Sequence, residues 1–258
     1  MKITVLTENT CKSGKYNCEH GLSLYIEVND KKILFDMGQT DLFLKNASQL
    51  DVDLSEVDFA VLSHGHYDHG GGLKAFLDVN IKAPVYLSKF AFEPHYNGCE
   101  KYIGLDIDLK NGNRLISVCE TKKILEGITL YHCNDFKKDF ELGSFGLNAK
   151  LNEELVPDDF RHEQYLLIEE NKKKILISGC SHKGILNIVK WFDADVVVGG
   201  FHFSKLNTDD TLKGYAQYLN DFKAKYYTCH CTGQEQYLYM KNFMDRLFYL
   251  SAGDTIII

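Results

Sequence analysis

The sequence predicts an α/β protein in which two sheets are sandwiched between helices. Two features of element order carry that expectation, and a third says where the chemistry sits. In the first half, short alternating apolar runs pair up across turn residues, the pattern of half-buried hairpins. In the second half, buried strand runs alternate with helical segments, the pattern of parallel strands covered by helices. Several of these strands also end in glycine next to histidine or cysteine.

Taken in order, residues 2–7 alternate as a strand and 11–21 form a polar loop. Residues 22–28 and 32–36 form a hairpin across the turn pair Asn29-Asp30. Thr40 or Asp41 can cap a helix running to Leu50. Residues 59–62 are a buried strand, 73–77 a helix and 84–87 another strand. Between 89 and 160 the periodicity loosens, with strand-like pieces near 115–118 and 128–131. A long irregular stretch of this kind reads as an insertion or lid over a binding site. His95, Tyr96, Tyr102 and His132 lie in it and read as packing or surface residues. Order returns with strands at 165–169 and 174–178 around a turn at 171–173. A helix follows at 185–191, then a strand at 195–198, a helix near 209–220 and a strand at 225–228. A helix near 234–243 precedes two terminal strands.

The densest chemistry is Ser63-His64-Gly65-His66-Tyr67-Asp68-His69-Gly70-Gly71-Gly72, at a strand-to-helix turn. Four ligand-type residues fall within six positions. Neutral imidazole and carboxylate together suit zinc, iron or manganese. His64 and His66 are two apart and share a direction in extended backbone, whereas Asp68 and His69 follow the turn and can face a second centre. Three later strands end at Gly179-Cys180-Ser181-His182, at Gly199-Gly200-Phe201-His202 and at Cys229-His230-Cys231-Thr232-Gly233.

Composition bounds the rest. With 258 residues and 45% hydrophobic content, the chain is read as a single domain over 1–258, with the insertion at about 89–160. A net charge of −7 argues against nucleic acid or an acidic membrane as partner. No apolar run reaches the length of a membrane span, and residues 1–6 lack the long apolar stretch of a signal peptide. A cytoplasmic protein is expected, acting on a small molecule and free to form homo-oligomers. The eight cysteines include no Cys-x-x-Cys pair, and most are expected to stay reduced.

The His-x-His-x-Asp-His pattern, with Ser63 before it and three glycines after it, resembles the metal-binding motif of the metallo-β-lactamase superfamily. The segments 19–23, 35–39, 63–73, 178–185, 199–202 and 229–233 look like one branch of it. That branch comprises the 7,8-dihydropterin-6-methyl-4-(β-D-ribofuranosyl)aminobenzene 5′-phosphate synthase-like, or dihydropteroate-synthase-like, metallo-hydrolases. The resemblance implies a four-layer αββα sandwich. It also implies one or two zinc ions, with iron or manganese as alternatives. The implied ligands are His64, His66, Asp68, His69 and His230, and Asp36 would support the loop by hydrogen bonding. Cys180 stands where the family usually carries a bridging Asp, and is either a thiolate ligand or a small buried cysteine. The third ligand beside His64 and His66 has no clear home, with His162, His182 and His202 as candidates. His20 is either near the metal pocket or a loop histidine. The implied activity is hydrolysis of a small ester, phosphoester or related substrate by a metal-bound hydroxide. In that reading Asp68, His182 and His202 serve catalysis, and Lys183 is a further candidate for substrate contact. The alternative is a metal-dependent transferase that condenses a pterin diphosphate with an aminobenzene nucleophile. A redox di-iron centre is disfavoured, because the His-x-Glu-x-Asp variant is absent.

Overall fold

The computed structural model describes residues 1–258 and divides into two compact units. The first comprises Met1–Glu120, Gly146–Gln164 and Ser251–Ile258; the second comprises Thr121–Phe145 and Tyr165–Leu250. No helix is long and apolar enough to cross a membrane.

The first unit is built on a 7-stranded sheet. Its strands run in the order Thr255–Ile257, Lys2–Thr7, Ser23–Val28, Lys31–Phe35, Phe59–Val61, Val85–Ser88 and Leu115–Val118. The first four pair antiparallel and the rest parallel. The hairpin between Ser23–Val28 and Lys31–Phe35 turns at Asn29 and Asp30, both at positive φ (49° and 57°), as a tight two-residue turn requires. The parallel strands are linked by the helices Leu42–Gln49 and Leu73–Val79. Phe43, Ala47, Leu73 and Phe76 of these helices pack with Leu6, Leu34, Ala60 and Leu62 into one core cluster. Each helix therefore covers the sheet with an apolar stripe.

The stretch 89–160 holds more regular structure than its loose periodicity predicts. The strands His95–Asn97, Lys101–Tyr102, Leu147–Leu151 and Glu154–Pro157 form a second, 4-stranded sheet of the first unit. In its register Ala149 pairs with His95. Residues 121–145 belong to the second unit.

The second unit repeats the pairing pattern of the first. Its 7-stranded sheet runs Leu247–Tyr249, Lys225–Thr228, Val196–Gly199, Lys173–Ile177, Tyr165–Glu170, Ile128–Tyr131 and Lys122–Leu125. The first four strands are parallel and the remainder antiparallel. Again the change of direction falls on the return strand of a tight hairpin, here turned at Asn171 and Lys172 with φ of 51° and 65°. The helix Ile185–Phe192 buries Ile185, Leu186, Ile188 and Val189 in this core. The helix Asp210–Asp221 starts under Asp209, whose carboxylate accepts from the Thr211 and Leu212 amides.

One buried amide fastens the irregular chain at 137–143 to this core. Asn187 accepts from the Asp139 and Phe140 amides through Oδ1 and donates to the Phe140 and Lys183 carbonyls through Nδ2. Asn187→Ala leaves four polar groups to find new partners. The expected loss is about 2 kcal/mol of stability, read as a lower midpoint in urea unfolding.

Of the eight cysteines, Cys11 and Cys18 form a disulfide that closes the 11–18 loop, and the other six are thiols.

Candidate metal centre

In the first unit, the chemistry gathers where Lys31–Phe35 and Phe59–Val61 end. Asp36 is fully buried at a positive φ of 60°. Its Oδ1 accepts the Ser63 amide at 2.7 Å, and its Oδ2 accepts both the Ser63 hydroxyl and His69 Nδ1 at 2.7 Å. These bonds fix protons. The Ser63 hydroxyl hydrogen is committed to Asp36, so at 2.8 Å from His64 Nδ1 the Ser63 oxygen accepts. His64 and His69 are thereby both Nδ1-protonated, with Nε2 as the basic nitrogen. This is the hydrogen-bonded backing that metal-binding histidines characteristically have. The two rings lie 4.1 Å apart, and the His64 and His66 rings 4.6 Å apart. The support expected of Asp36 is thus present atom by atom.

Asp68 and His69 open the short helix Tyr67–Gly70. Asp68 Oδ2 lies 3.8 Å from His69 Nε2 and 3.1 Å from His20 Nε2. Asn9 takes the Gly21 amide on Oδ1 and places Nδ2 3.3 Å from His20 Nδ1. His20 Nδ1 therefore accepts, and Nε2 carries the hydrogen that faces Asp68. His20 is 55% exposed, which links the buried carboxylate to solvent through one imidazole.

Beside the loop stands a cluster the sequence did not assemble. His66, His95, Asp158 and His162 are all buried, with their ligand atoms within 4.8 Å of one another. Gly65 shows why this packing is tight: a Cβ there would sit 2.1 Å from the Ala91 carbonyl oxygen. The Gly65 amide donates to His162 Nδ1 at 2.9 Å. Nδ1 must then accept, so His162 is protonated on Nε2, which donates to Asp158 Oδ2 at 3.2 Å. Both nitrogens of His162 are committed; binding a metal through Nε2 would demand an imidazolate. His162 is correspondingly set aside as a ligand. Asp158 Oδ2 also takes His95 Nδ1 at 3.0 Å, while Oδ1 takes the Phe160 amide at 2.7 Å. Burial pushes the Asp158 carboxyl up, but the hydrogen bonds and charge of His162 and His95 hold it well below the usual carboxylate range. Burial, reinforced by His162 and His95, drives His66 well below the ordinary imidazole value. It is neutral at pH 7, the form that ligates a metal.

In the second unit, the expected residues again sit at strand ends. Cys180 and His182 follow Lys173–Ile177, His202 follows Val196–Gly199, and His230 opens the turn His230–Thr232 after Lys225–Thr228. Ser181, His202 and His230 all adopt positive φ (61°, 56° and 50°), a costly choice for residues with side chains. A Cβ on Gly199 would lie 2.0 Å from the Ser178 carbonyl oxygen, so only glycine fits between these strands. Thr232 Oγ1 accepts the Phe201 amide at 2.8 Å and ties the His202 turn to the His230 turn. Cys180, His202 and Cys231 place their ligand atoms within 4.8 Å of one another. The His182 and His202 rings are 4.3 Å apart. Burial raises the Cys231 thiol, yet Cys180 and His202 hydrogen bonds and the charge of His230 and His202 hold it well below the ordinary value. Lys183 is buried and donates to the His132 carbonyl, which anchors its ammonium in the protein.

A cysteine flanking a histidine carries no spacing signal of its own, so the sequence does not mark Cys231. Nothing in the sequence marks His95 and Asp158, because their side chains meet across 63 residues of chain.

Strand-end histidines with fixed tautomers, set on mixed sheets, define a class of α/β proteins able to hold metal ions. Residues 16–221 match the Metallo-beta-lactamase superfamily, and the chain belongs to that family. It is 33% identical over 240 residues to an uncharacterized protein of Methanocaldococcus jannaschii, covering 90% of each chain. It is 31% identical over 283 residues to the 7,8-dihydropterin-6-methyl-4-(beta-D-ribofuranosyl)-aminobenzene-5'-phosphate synthase of the same organism, covering 99% of this chain and 96% of that one. The crystal structure of Tm1679, described as a metal-dependent hydrolase of the beta-lactamase superfamily, superimposes with a TM-score of 0.84 at 32% identity, over 100% of this chain and 99% of that one. The fold is the metallo-β-lactamase fold, and the family and its relatives support an enzyme.

Proposed function

We infer that the protein is a metal-dependent hydrolase acting on a small ester, phosphoester or related substrate. The observation that carries this reading is the Asp36–Ser63 network, which protonates His64 and His69 on Nδ1 and leaves Nε2 basic on both. Buried chemistry of that kind suits zinc, with iron or manganese as alternatives. When bound, the metal lowers the pKa of water and polarises the substrate oxygen. His64, His66, Asp68 and His69 are the first unit's ligands in this proposal, and Cys180 and His230 are those of the second. Asp68 accepts the proton released as water attacks, and the His20 Nε2 hydrogen, 3.1 Å away, holds that carboxylate in place. Within the second unit, His182 and His202 are the candidates for acid catalysis.

Turnover of generic phosphodiester and lactone substrates should fall to background after chelation and return on adding zinc or manganese. Activity that survives complete chelation would sink this reading.

A transferase is the second reading, favoured by the likeness to the synthase over nearly its full length. It condenses a pterin diphosphate with an aminobenzene nucleophile. Diphosphate release that requires both reactants would establish it over hydrolysis.

A further inference from the structure

Glu19 and His20 reach the motif loop from outside it, and they follow directly on a disulfide. We propose that the Cys11–Cys18 bond is a thiol-exchange site. A dithiol reductant opens it, and opening loosens the hold of Glu19 and His20 on residues 39–40 and on Asp68. The consequence for a metal centre rests on the metal-dependent reading above; the exchange and the loosening do not.

The two cysteines are anchored unequally. Cys11 is half-buried and forms a bridge with Ala252. The Ala252 amide donates to the Thr10 carbonyl at 2.8 Å, and its carbonyl accepts the Lys12 amide at 2.9 Å. Cys18 is exposed, as are Lys12, Ser13, Gly14, Lys15 and Asn17 between them. The disulfide thus ties an exposed loop end to one that is held by the backbone. Asn46 supplies a second tie: its Oδ1 accepts the Asn17 amide at 3.2 Å and its Nδ2 donates to the Asn17 carbonyl at 2.8 Å. That buried side chain keeps the loop attached when the bond opens, so reduction acts locally.

The residues after Cys18 carry the effect inward. Glu19 Oε1 accepts the Gln39 and Thr40 amides at 2.9 and 3.0 Å, and Oε2 accepts the Thr40 hydroxyl at 2.7 Å. These residues continue the chain from Asp36. His20 Nε2 faces Asp68 Oδ2 at 3.1 Å, and the Leu22 amide donates to the Asp68 carbonyl at 3.2 Å. Both contacts of Asp68 with the 8–22 loop therefore lie within four residues of Cys18.

Exposed disulfides are the labile ones, and the other six cysteines of this chain are thiols. In the exchange, a thiolate of the dithiol attacks Cys18 Sγ. The sulfur–sulfur bond breaks, and Cys11 leaves as a thiolate that takes up a proton. The second thiol of the reductant then displaces Cys18, which is protonated in turn. Two electrons pass to the protein, and the dithiol ends as a disulfide.

The test uses the full metal-free chain with dithiothreitol as the dithiol. Thiol counting after non-reducing denaturation should give six in untreated protein and eight after reduction. Amide hydrogen exchange is then followed by mass spectrometry over segments 8–24 and 36–44, with the helix Leu73–Val79 as reference. Freeing a loop of this size should speed exchange in both segments about 10- to 100-fold, leave the reference unchanged, and reverse on reoxidation. The double variant Cys11→Ser, Cys18→Ser should exchange as the reduced protein does, with or without dithiothreitol. Eight thiols in untreated protein would overturn the proposal. Unchanged exchange on reduction would overturn it too, and so would an equal rise in the reference helix, which marks a bond that merely staples the whole fold. Turnover indifferent to chelation would sink the hydrolase and leave the exchange site standing, because no metal enters this measurement.

Discussion

Replacing Asp36 with asparagine lowers metal affinity about 10- to 100-fold and destabilises the metal-free protein by about 1–3 kcal/mol. The carboxylate accepts three hydrogens in a site closed to water: the Ser63 amide, the Ser63 hydroxyl and His69 Nδ1. An amide of the same shape offers one oxygen and one NH2, so at least one of these donors meets another donor. Asparagine tolerates the left-handed backbone that Asp36 adopts at φ 60°, so the change isolates hydrogen bonding from backbone strain. Alanine would add that strain and leave all three donors unmatched, for a larger loss. The metal effect follows from proton placement. With Asp36 gone as acceptor, His69 is free to carry its hydrogen on Nε2, where a metal would bind. The Ser63 hydroxyl can then turn toward His64 and reverse that tautomer too. Ser63→Ala touches only the His64 half of the network, and its effect on affinity should be smaller. Thermal unfolding of the metal-free variants, paired with cobalt titration, separates the two consequences. Wild-type affinity in Asp36→Asn would show that the network serves folding alone.

What could be read in the chain was what lies close together along it. The ligand-type residues from His64 to His69 are legible as a group because covalent spacing alone gathers them at one turn. The hairpin turns at Asn29 and Asn171 are legible because their residue types match the positive φ they adopt. Asp36 is legible from its place at the end of a strand, by resemblance to the family. His95 is different. Nothing local marks it, and its neighbours Tyr96 and Asn97 look like any surface strand. Its chemistry appears only after Leu147–Leu151 returns beside it and delivers Asp158. His162 misleads in the opposite sense. It lies near the expected sequence distance for a ligand, yet the Gly65 amide takes one nitrogen and Asp158 the other. Periodicity cannot report which nitrogen of a histidine holds the proton. The 89–160 stretch was hard to read because its strands are two to five residues long, too short for an alternation to stand out.

The same buried histidines make the metal-free fold sensitive to mild acid. His66 and His162 are both held below the ordinary imidazole value of 6.5, in each case first by burial and then by neighbouring histidines. The unfolded chain takes up protons at these sites near pH 6.5, whereas the folded chain does not. Their contribution is therefore fully present above pH 6.5 and is lost as the pH falls from there toward the folded values. Each site adds a slope of at most about 1.4 kcal/mol per pH unit, and the pair at most about 2.7. Asp158 behaves alike but lower: its carboxyl is depressed, so its share persists until the pH drops below the ordinary value of 3.8. The window from pH 6.5 to 5 therefore belongs to the histidines. Urea unfolding of metal-free protein at pH 7.5, 6.5 and 5.5 should show stability falling mainly across the last interval. His66→Gln should flatten that fall by one proton's worth. A slope equal in the variant and the wild type would mean that His66 already titrates in the fold as it does in the open chain. Zinc should make the acid dependence steeper, because protons then compete with the metal for the same nitrogens.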